Sequence, residues 1–290
     1  MGLVAPAGPV TEERIASAVE RCVSLGLEPV LGAAVRLRRG FLAGSDDDRL
    51  ADLVGMLHDP TITAVWALRG GYGTMRLLAR LVPPATPRAY LGFSDNTALH
   101  IWLLHAGLVS FHGPHAGAEL PPTAEACLRR VLFLDSPAGE LPLPPDSPPP
   151  STLVAGEAEG ELVGGNLSLL AALCGTPWQP TARDRLLFME DVGEPGYRID
   201  RMLQQLRLAG ALDGVAGLVG GRFTECGTAE ETAEVEATVR EFAQQLSVPA
   251  VLGFPIGHDA DSWTVPLGVR ARLNANAGSL SLLEPAVEHT

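Results

Sequence analysis

The chain has 290 residues, 46% of them apolar, enough for a sizeable core and too many for wholesale disorder. Acidic residues outnumber basic ones by 34 to 21, a formal charge of −13, so no basic surface exists to neutralise nucleic-acid phosphates or an anionic membrane. No uninterrupted apolar run reaches the roughly 18 residues of a transmembrane helix, and residues 1–9 lack the basic and long apolar regions of a secretion signal.

Residues 3–6 read as a short buried strand entering a Gly/Pro turn, followed by a helix over 12–25 that Gly26 ends. A second amphipathic helix is expected over 46–57, then a strongly apolar strand over 62–68. A strand over 90–93 leads into a helix over 96–106, closed by Gly107. Strands alternating with helices imply a parallel sheet covered on both faces. The segment 137–150 carries 7 prolines in 14 residues. Proline removes amide donors and fixes φ, so this stretch is expected to link two domains, 1–136 and 151–290. In the second half a Gly-Gly-Asn turn at 164–166 is expected before a helix over 167–174. A strand over 186–189, a helix over 198–209 and a strand over 216–219 follow. A long helix over 230–246 gathers its acids at the N-terminal end, where they complement the macrodipole. Strands at 269–273 and 280–283, joined through Asn276-Ala277-Gly278, alternate like a β-hairpin. The expected class is α/β, with an N-terminal parallel-sheet domain and a smaller, β-rich C-terminal domain of α+β or barrel-like form. No internal repeat is present. Cys22, Cys127, Cys174 and Cys226 are scattered without a C-x-x-C pair, which points to reduced core cysteines and a cytoplasmic protein.

Ligands of parallel sheets bind beyond the carboxyl ends of the strands. There, Leu91-Gly92-Phe93-Ser94-Asp95-Asn96 places Ser94 at a sharp strand-to-helix junction, its hydroxyl exposed and a helix N-terminus beneath any developing negative charge. The alternative is a simple N-cap by Ser94 or Asp95. Asn96 replaces the second glycine of G-x-S-x-G, which disfavours an α/β-hydrolase elbow. Arg69-Gly70-Gly71-Tyr72-Gly73-Thr74 follows the apolar strand, and its glycines let backbone amides approach an anion. Neither G-x-G-x-x-G spacing nor a Walker lysine is present, so it is either an oxyanion loop, paired with the amide after Ser94, or an ordinary tight turn.

Glu190, Asp191 and Glu194 lie at the end of a buried-looking strand, and His258 in the small-residue loop 253–259. Three strand-following loops thus offer a nucleophile, a base and an orienting acid. Alternation along a strand keeps Glu190 and Asp191 from both reaching one imidazole, and Glu194 sits in a turn between Gly193 and Pro195. His112 and His115 flank Gly-Pro without a helix, a poor metal geometry. His100 and His105 lie on an apolar helix as packing or capping residues, and Cys174 ends a helix whose dipole raises a thiol pKa.

Six segments together resemble the LD-carboxypeptidase family, which also includes the microcin C self-immunity peptidases. They are Arg-Gly-Gly-Tyr-Gly at 69–73, Gly-Phe-Ser-Asp at 92–95, Phe-His-Gly-Pro at 111–114, Gly-Gly-Asn-Leu-Ser at 164–168, Phe-Met-Glu-Asp-Val-Gly-Glu with Tyr-Arg-Ile-Asp-Arg-Met-Leu at 188–203, and Gly-Phe-Pro-Ile-Gly-His at 253–258. The resemblance implies a nucleophile at Ser94, a base at His258 and an orienting carboxylate at Glu190. It also implies an oxyanion hole from the backbone of Gly71 and Asp95, no metal or other cofactor, and a homodimer. The implied substrate is a cytoplasmic muropeptide in which lysine or diaminopimelate is joined through its L-centre to a terminal D-alanine. Asn96 departs from the resemblance, which favours an aliphatic residue there. Two other readings compete. One is an immunity-type peptidase cleaving aminoacyl-nucleotide antibiotics, for which Trp178, Trp263 and Tyr197 are the available substrate-loop aromatics. The other is a non-catalytic protein that cradles a small anion in the 70–73 turn.

Overall fold

The computed structural model describes residues 1–287. The chain divides into two compact units, Met1–Leu120 and Pro121 onward. The first holds five parallel strands: β1 (Gly2–Val4), β2 (Val30–Leu31), β3 (Ala64–Ala67), β4 (Ala89–Gly92) and β5 (Ser110–His112), in the order β5-β4-β3-β1-β2. Buried strands of a parallel sheet are apolar on both faces, as the fully buried Leu3, Val4, Val65, Trp66 and Leu91 are here. Helices α1 (Glu12–Ser24), α2 (Asp46–His58) and α3 (Thr97–His105) connect them. Thr11 caps α1 by accepting from the Arg14 amide, and Ser45 with Asp48 forms a capping box on α2. Residues 97–103 of α3 are all buried, which explains its lack of a polar face.

The second unit contains α4 (Pro122–Leu132), β6 (Gly139–Glu140), β7 (Ser151–Val154), β8 (Glu157–Asn166), α5 (Leu167–Ala172), β9 (Arg185–Val192), α6 (Gly196–Leu208), β10 (Gly217–Thr224), α7 (Ala229–Leu246), β11 (Ala250–Leu252), β12 (Val265–Leu267), β13 (Arg270–Asn274) and β14 (Ser279–Leu282). Its eight-stranded sheet runs β6-β14-β13-β8-β9-β10-β11-β7. The four central strands β8, β9, β10 and β11 are parallel, and the flanking strands antiparallel. The protein is therefore mixed α/β, with a parallel-sheet N-terminal region and a β-rich C-terminal region.

Two expectations differ from what is observed. The proline-rich stretch 137–150 lies inside the second unit, where Gly139–Glu140 pairs with β14 and the Leu141 amide donates to Leu280 O at 3.0 Å. An edge strand tolerates flanking prolines, and with this stretch included the β-rich unit is the longer of the two. Gly-Gly-Asn at 164–166 is no turn but the end of β8, paired with Phe188, Met189 and Glu190. A Cβ at Gly164 would lie 1.9 Å from Phe188 O, so glycine serves close strand approach here. Among the described residues, no helix is long and apolar enough to cross a membrane.

Candidate active site

After β4 the chain turns through Phe93 into a short 3-10 turn, Ser94–Asn96, which continues into α3. Ser94 has φ 61°, the left-handed region, where a Cβ costs roughly 1–2 kcal/mol. Such strain persists only where the surroundings over-determine it. Behind Ser94, the buried Asp95 accepts from the Thr74 amide at 2.9 Å, and Thr74 Oγ1 donates to Asp95 O at 2.5 Å. Burial pushes the Asp95 carboxyl up, against the hydrogen bonds from Thr74 and the Gly73 amide. The buried Arg49 guanidinium ties the surrounding loops together, donating to Pro6 O, to Gly73 O at 3.0 Å and to Asp46 Oδ1 at 2.5 Å.

The 69–74 loop approaches Ser94 closely. A Cβ at Gly70 would lie 3.0 Å from Ser94 Cβ and 3.2 Å from its Oγ, so any side chain there would crowd the serine. Gly70 O accepts from the Gly8 amide at 3.0 Å. The C=O and N–H of a trans peptide point in opposite directions, so this bond aims the Gly71 N–H away from Gly8. The Asp95 N–H belongs to the first turn of a helix, where amides have no intrahelical acceptor. The Ser94 turn and the glycine loop are thus neighbours.

In the second unit, Glu190 is fully buried near the end of β9. Two glycines make room for it: a Cβ at Gly257 would lie 3.0 Å from Glu190 Oε2, and one at Gly221 would lie 3.1 Å from Glu190 Cβ. His258, in the loop after β11, has Nδ1 2.8 Å from Glu190 Oε2. An Nδ1–H donated to this carboxylate leaves Nε2 as the basic nitrogen. Burial of His258 favours its neutral form, but the hydrogen bond and charge of Glu190, with the charges of Asp191 and Glu225, outweigh it and raise its pKa.

Asp191 is engaged elsewhere. Its carboxylate accepts from Asn166 Nδ2 at 2.9 Å, the Ser168 amide at 2.8 Å, Ser168 Oγ at 2.7 Å and the Val192 amide at 2.9 Å, so it anchors the start of α5. Glu194 pairs with Arg198 at 3.3 Å along the surface. Ser94 belongs to the first unit, Glu190 and His258 to the second.

His100 is buried, with Nδ1 2.9 Å from Ser110 Oγ and Nε2 2.8 Å from Gly92 O, and burial lowers its pKa to about 4. His115 packs against Phe93 with ring centroids 4.3 Å apart. Trp263 is a core residue, its Nε1 donating to Pro142 O at 2.9 Å, and is removed from the substrate-loop candidates. Tyr197 is exposed, with the Arg201 guanidinium 5.5 Å from its ring. The four cysteines are free, and burial raises the Cys127 thiol to about 11. Arg49 lies in no motif that sequence reasoning could single out, and Thr74, though it closes the 69–74 segment, carries no local signal of its bonds to Asp95.

Comparison with known proteins identifies the family. The chain is 37% identical to a probable murein peptide carboxypeptidase of Bacillus subtilis, over 99% of this chain and 92% of the relative. It is 26% identical to the microcin C7 self-immunity protein MccF of Escherichia coli, over 97% of this chain and 91% of that one. A crystal structure of muramoyltetrapeptide carboxypeptidase from Oxalobacter formigenes superposes with a TM-score of 0.81 at 31% identity, covering 97% of each chain. Residues 1–113 match the LD-carboxypeptidase N-terminal domain model and residues 159–273 the C-terminal domain model. The chain belongs to the LD-carboxypeptidase family of peptidases.

Proposed function

We propose that the protein is a serine LD-carboxypeptidase that removes a terminal D-alanine from cytoplasmic muropeptides and works as a homodimer. The observation that carries the reading is the left-handed backbone of Ser94, held between β4 and α3 beside Gly70. His258 Nε2 takes the Ser94 proton as Oγ attacks the carbonyl carbon of the L-centre residue, breaking its π bond and placing charge on oxygen. The amides of Gly71 and Asp95 stabilise that oxyanion. The imidazolium then protonates the leaving amine of D-alanine as the C–N bond breaks, and Glu190 holds the imidazole tautomer and stabilises its charge. Water, deprotonated by His258, releases the acyl group and restores Ser94. The names of the Bacillus and Oxalobacter relatives support a murein peptide as substrate.

The test is mass spectrometry of a muramyl tetrapeptide ending in D-alanine after incubation with the purified protein. Loss of one alanine is expected, and Ser94→Ala should abolish it while leaving the melting curve in place, with kcat lower by about 10⁴- to 10⁶-fold. An unchanged tetrapeptide beside a hydrolysed aminoacyl-nucleotide would replace this reading with the immunity-type one, which the MccF likeness supports.

A further inference from the structure

Asn96, the last residue of the Ser94–Asn96 turn, is fully buried. A Cβ at Gly92 would lie 2.9 Å from Asn96 Cγ, so the last residue of β4 must be small for an amide to occupy this position. Its hydrogen bonds span three elements. Tyr90 Oη donates to Asn96 Oδ1 at 2.6 Å. Asn96 Nδ2 donates to Phe93 O at 3.0 Å and lies 3.4 Å from both Arg69 O and His115 Nε2. The carbonyls of Phe93 and Arg69 can only accept, so the side-chain orientation is fixed by chemistry: NH₂ toward the two loops, oxygen toward the tyrosine.

The two carbonyls are significant for what they adjoin. Phe93 O belongs to the peptide that enters Ser94, and Arg69 O to the peptide that enters Gly70, whose Cα faces Ser94. One side-chain NH₂ therefore joins the nucleophile turn to the glycine loop. A backbone held at φ 61° has lower-energy alternatives nearby, and without the side chain the peptide before it would be held only by the Asn96 amide, 3.2 Å from Phe93 O within the same turn. An aliphatic residue could fill the same volume, but it would take this donor from the part-buried Arg69 O and leave Phe93 O with the Asn96 amide alone, 3.2 Å away.

We infer that Asn96 is a positioning residue for catalysis, fastening the Ser94 turn to the Gly70–Gly71 loop so that nucleophile and oxyanion donors keep a fixed separation. The inference rests on the reading of Ser94 as nucleophile, and its role is specific to the NH₂ group. The Tyr90 bond supports the amide from behind and contributes to stability rather than to rate.

The experiment compares Asn96→Leu, Asn96→Asp and Tyr90→Phe with the wild type. It reads kcat and KM on the tetrapeptide, the rate of Ser94 labelling by a fluorophosphonate, and Tm. Misplacement of reacting groups by about 1 Å costs about 10²-fold, so both Asn96 variants should lose about that much in kcat and labelling rate with KM little changed. Tyr90→Phe should lower Tm yet label and turn over near the wild-type rate. Should Asn96→Leu fail to fold, Asn96→Asp carries the comparison, since it keeps the volume and the acceptor for Tyr90 but exchanges the NH₂ for an oxygen that can offer the two carbonyls at most one O–H. Wild-type kcat and labelling in the Asn96 variants, or losses that follow Tm alike in all three, would overturn the inference while leaving the functional reading intact. A wild-type protein that neither labels nor hydrolyses would overturn that reading and the inference with it.

Discussion

Replacing Glu190 by glutamine isolates what the buried carboxylate does for His258. In the proposed mechanism the imidazole becomes cationic as Ser94 attacks, and Glu190 Oε2 sits 2.8 Å from its Nδ1. Two unit charges with centres about 4 Å apart, at an effective dielectric near 20, attract by about 4 kcal/mol. At about 1.4 kcal/mol per tenfold, that is close to 10³ in kcat. A glutamine that turns its NH₂ toward Nδ1 also selects the wrong tautomer, which brings the expected loss to about 10³- to 10⁴-fold. The pH profile moves as well. Neutral His258 is the base and its pKa is raised, so wild-type kcat/KM falls with acidification through a value above the ordinary histidine pKa of about 6.5. Without the carboxylate that limb shifts to lower pH. Asp191→Asn is the control: its four hydrogen bonds hold α5 and the end of β9, so it should cost stability, about 1–3 kcal/mol, and only about tenfold in kcat. Steady-state kinetics across pH with parallel urea melts measures both. A larger kcat loss from Asp191→Asn, or a Glu190→Gln profile with an unmoved acid limb, refutes the assignment.

Activity should survive exhaustive chelation, because the serine mechanism asks no Lewis acid to polarise the carbonyl; loss with EDTA and recovery with zinc would contradict it. Ser94→Gly should melt above Ser94→Ala although both are inactive: glycine relieves roughly 1–2 kcal/mol of left-handed strain at an entropic cost of about 0.5–1. Equal or reversed Tm values would show that the strain at φ 61° is no larger than the entropic cost of glycine. His100 titrates near 4 when folded and about 6.5 when unfolded, so only the unfolded state binds its proton between those values. Stability is therefore full above about pH 6.5 and falls by about 3 kcal/mol as pH drops toward 4. His100→Gln should flatten that part of a denaturation series.

Much of the fold could be read from local chemistry. Thr11 with Glu12 and Glu13, the Ser45–Asp48 capping box, and Thr228 with Glu231 before α7 are start signals that act within one turn. The three-residue β5 and the two-residue β2 offer no periodicity to detect, since their strand character comes from their neighbours. The β8 glycines are not legible as strand because Gly-Gly-Asn has the composition of a turn. Only the position of Phe188 O one strand away shows that glycine is there for clearance. In the site, alternation along β9 already separated Glu190 from Asp191, and they do contact different partners. The bond from Asn96 to Arg69 O, 27 residues back along the chain, is one that no local pattern encodes.

The Gly8–Gly70 hydrogen bond also makes the protein its own reporter. In the proposed mechanism the Gly71 N–H must face the oxyanion, and a flip of the 70–71 peptide would turn it away. That flip cannot occur without releasing the Gly8 amide, which Gly70 O holds at 3.0 Å. Solvent exchange of one backbone proton, followed by NMR in the resting protein, therefore sets an upper limit on how often the oxyanion hole comes apart. It needs no substrate, inhibitor or label, and it reads the readiness of the site before any chemistry begins.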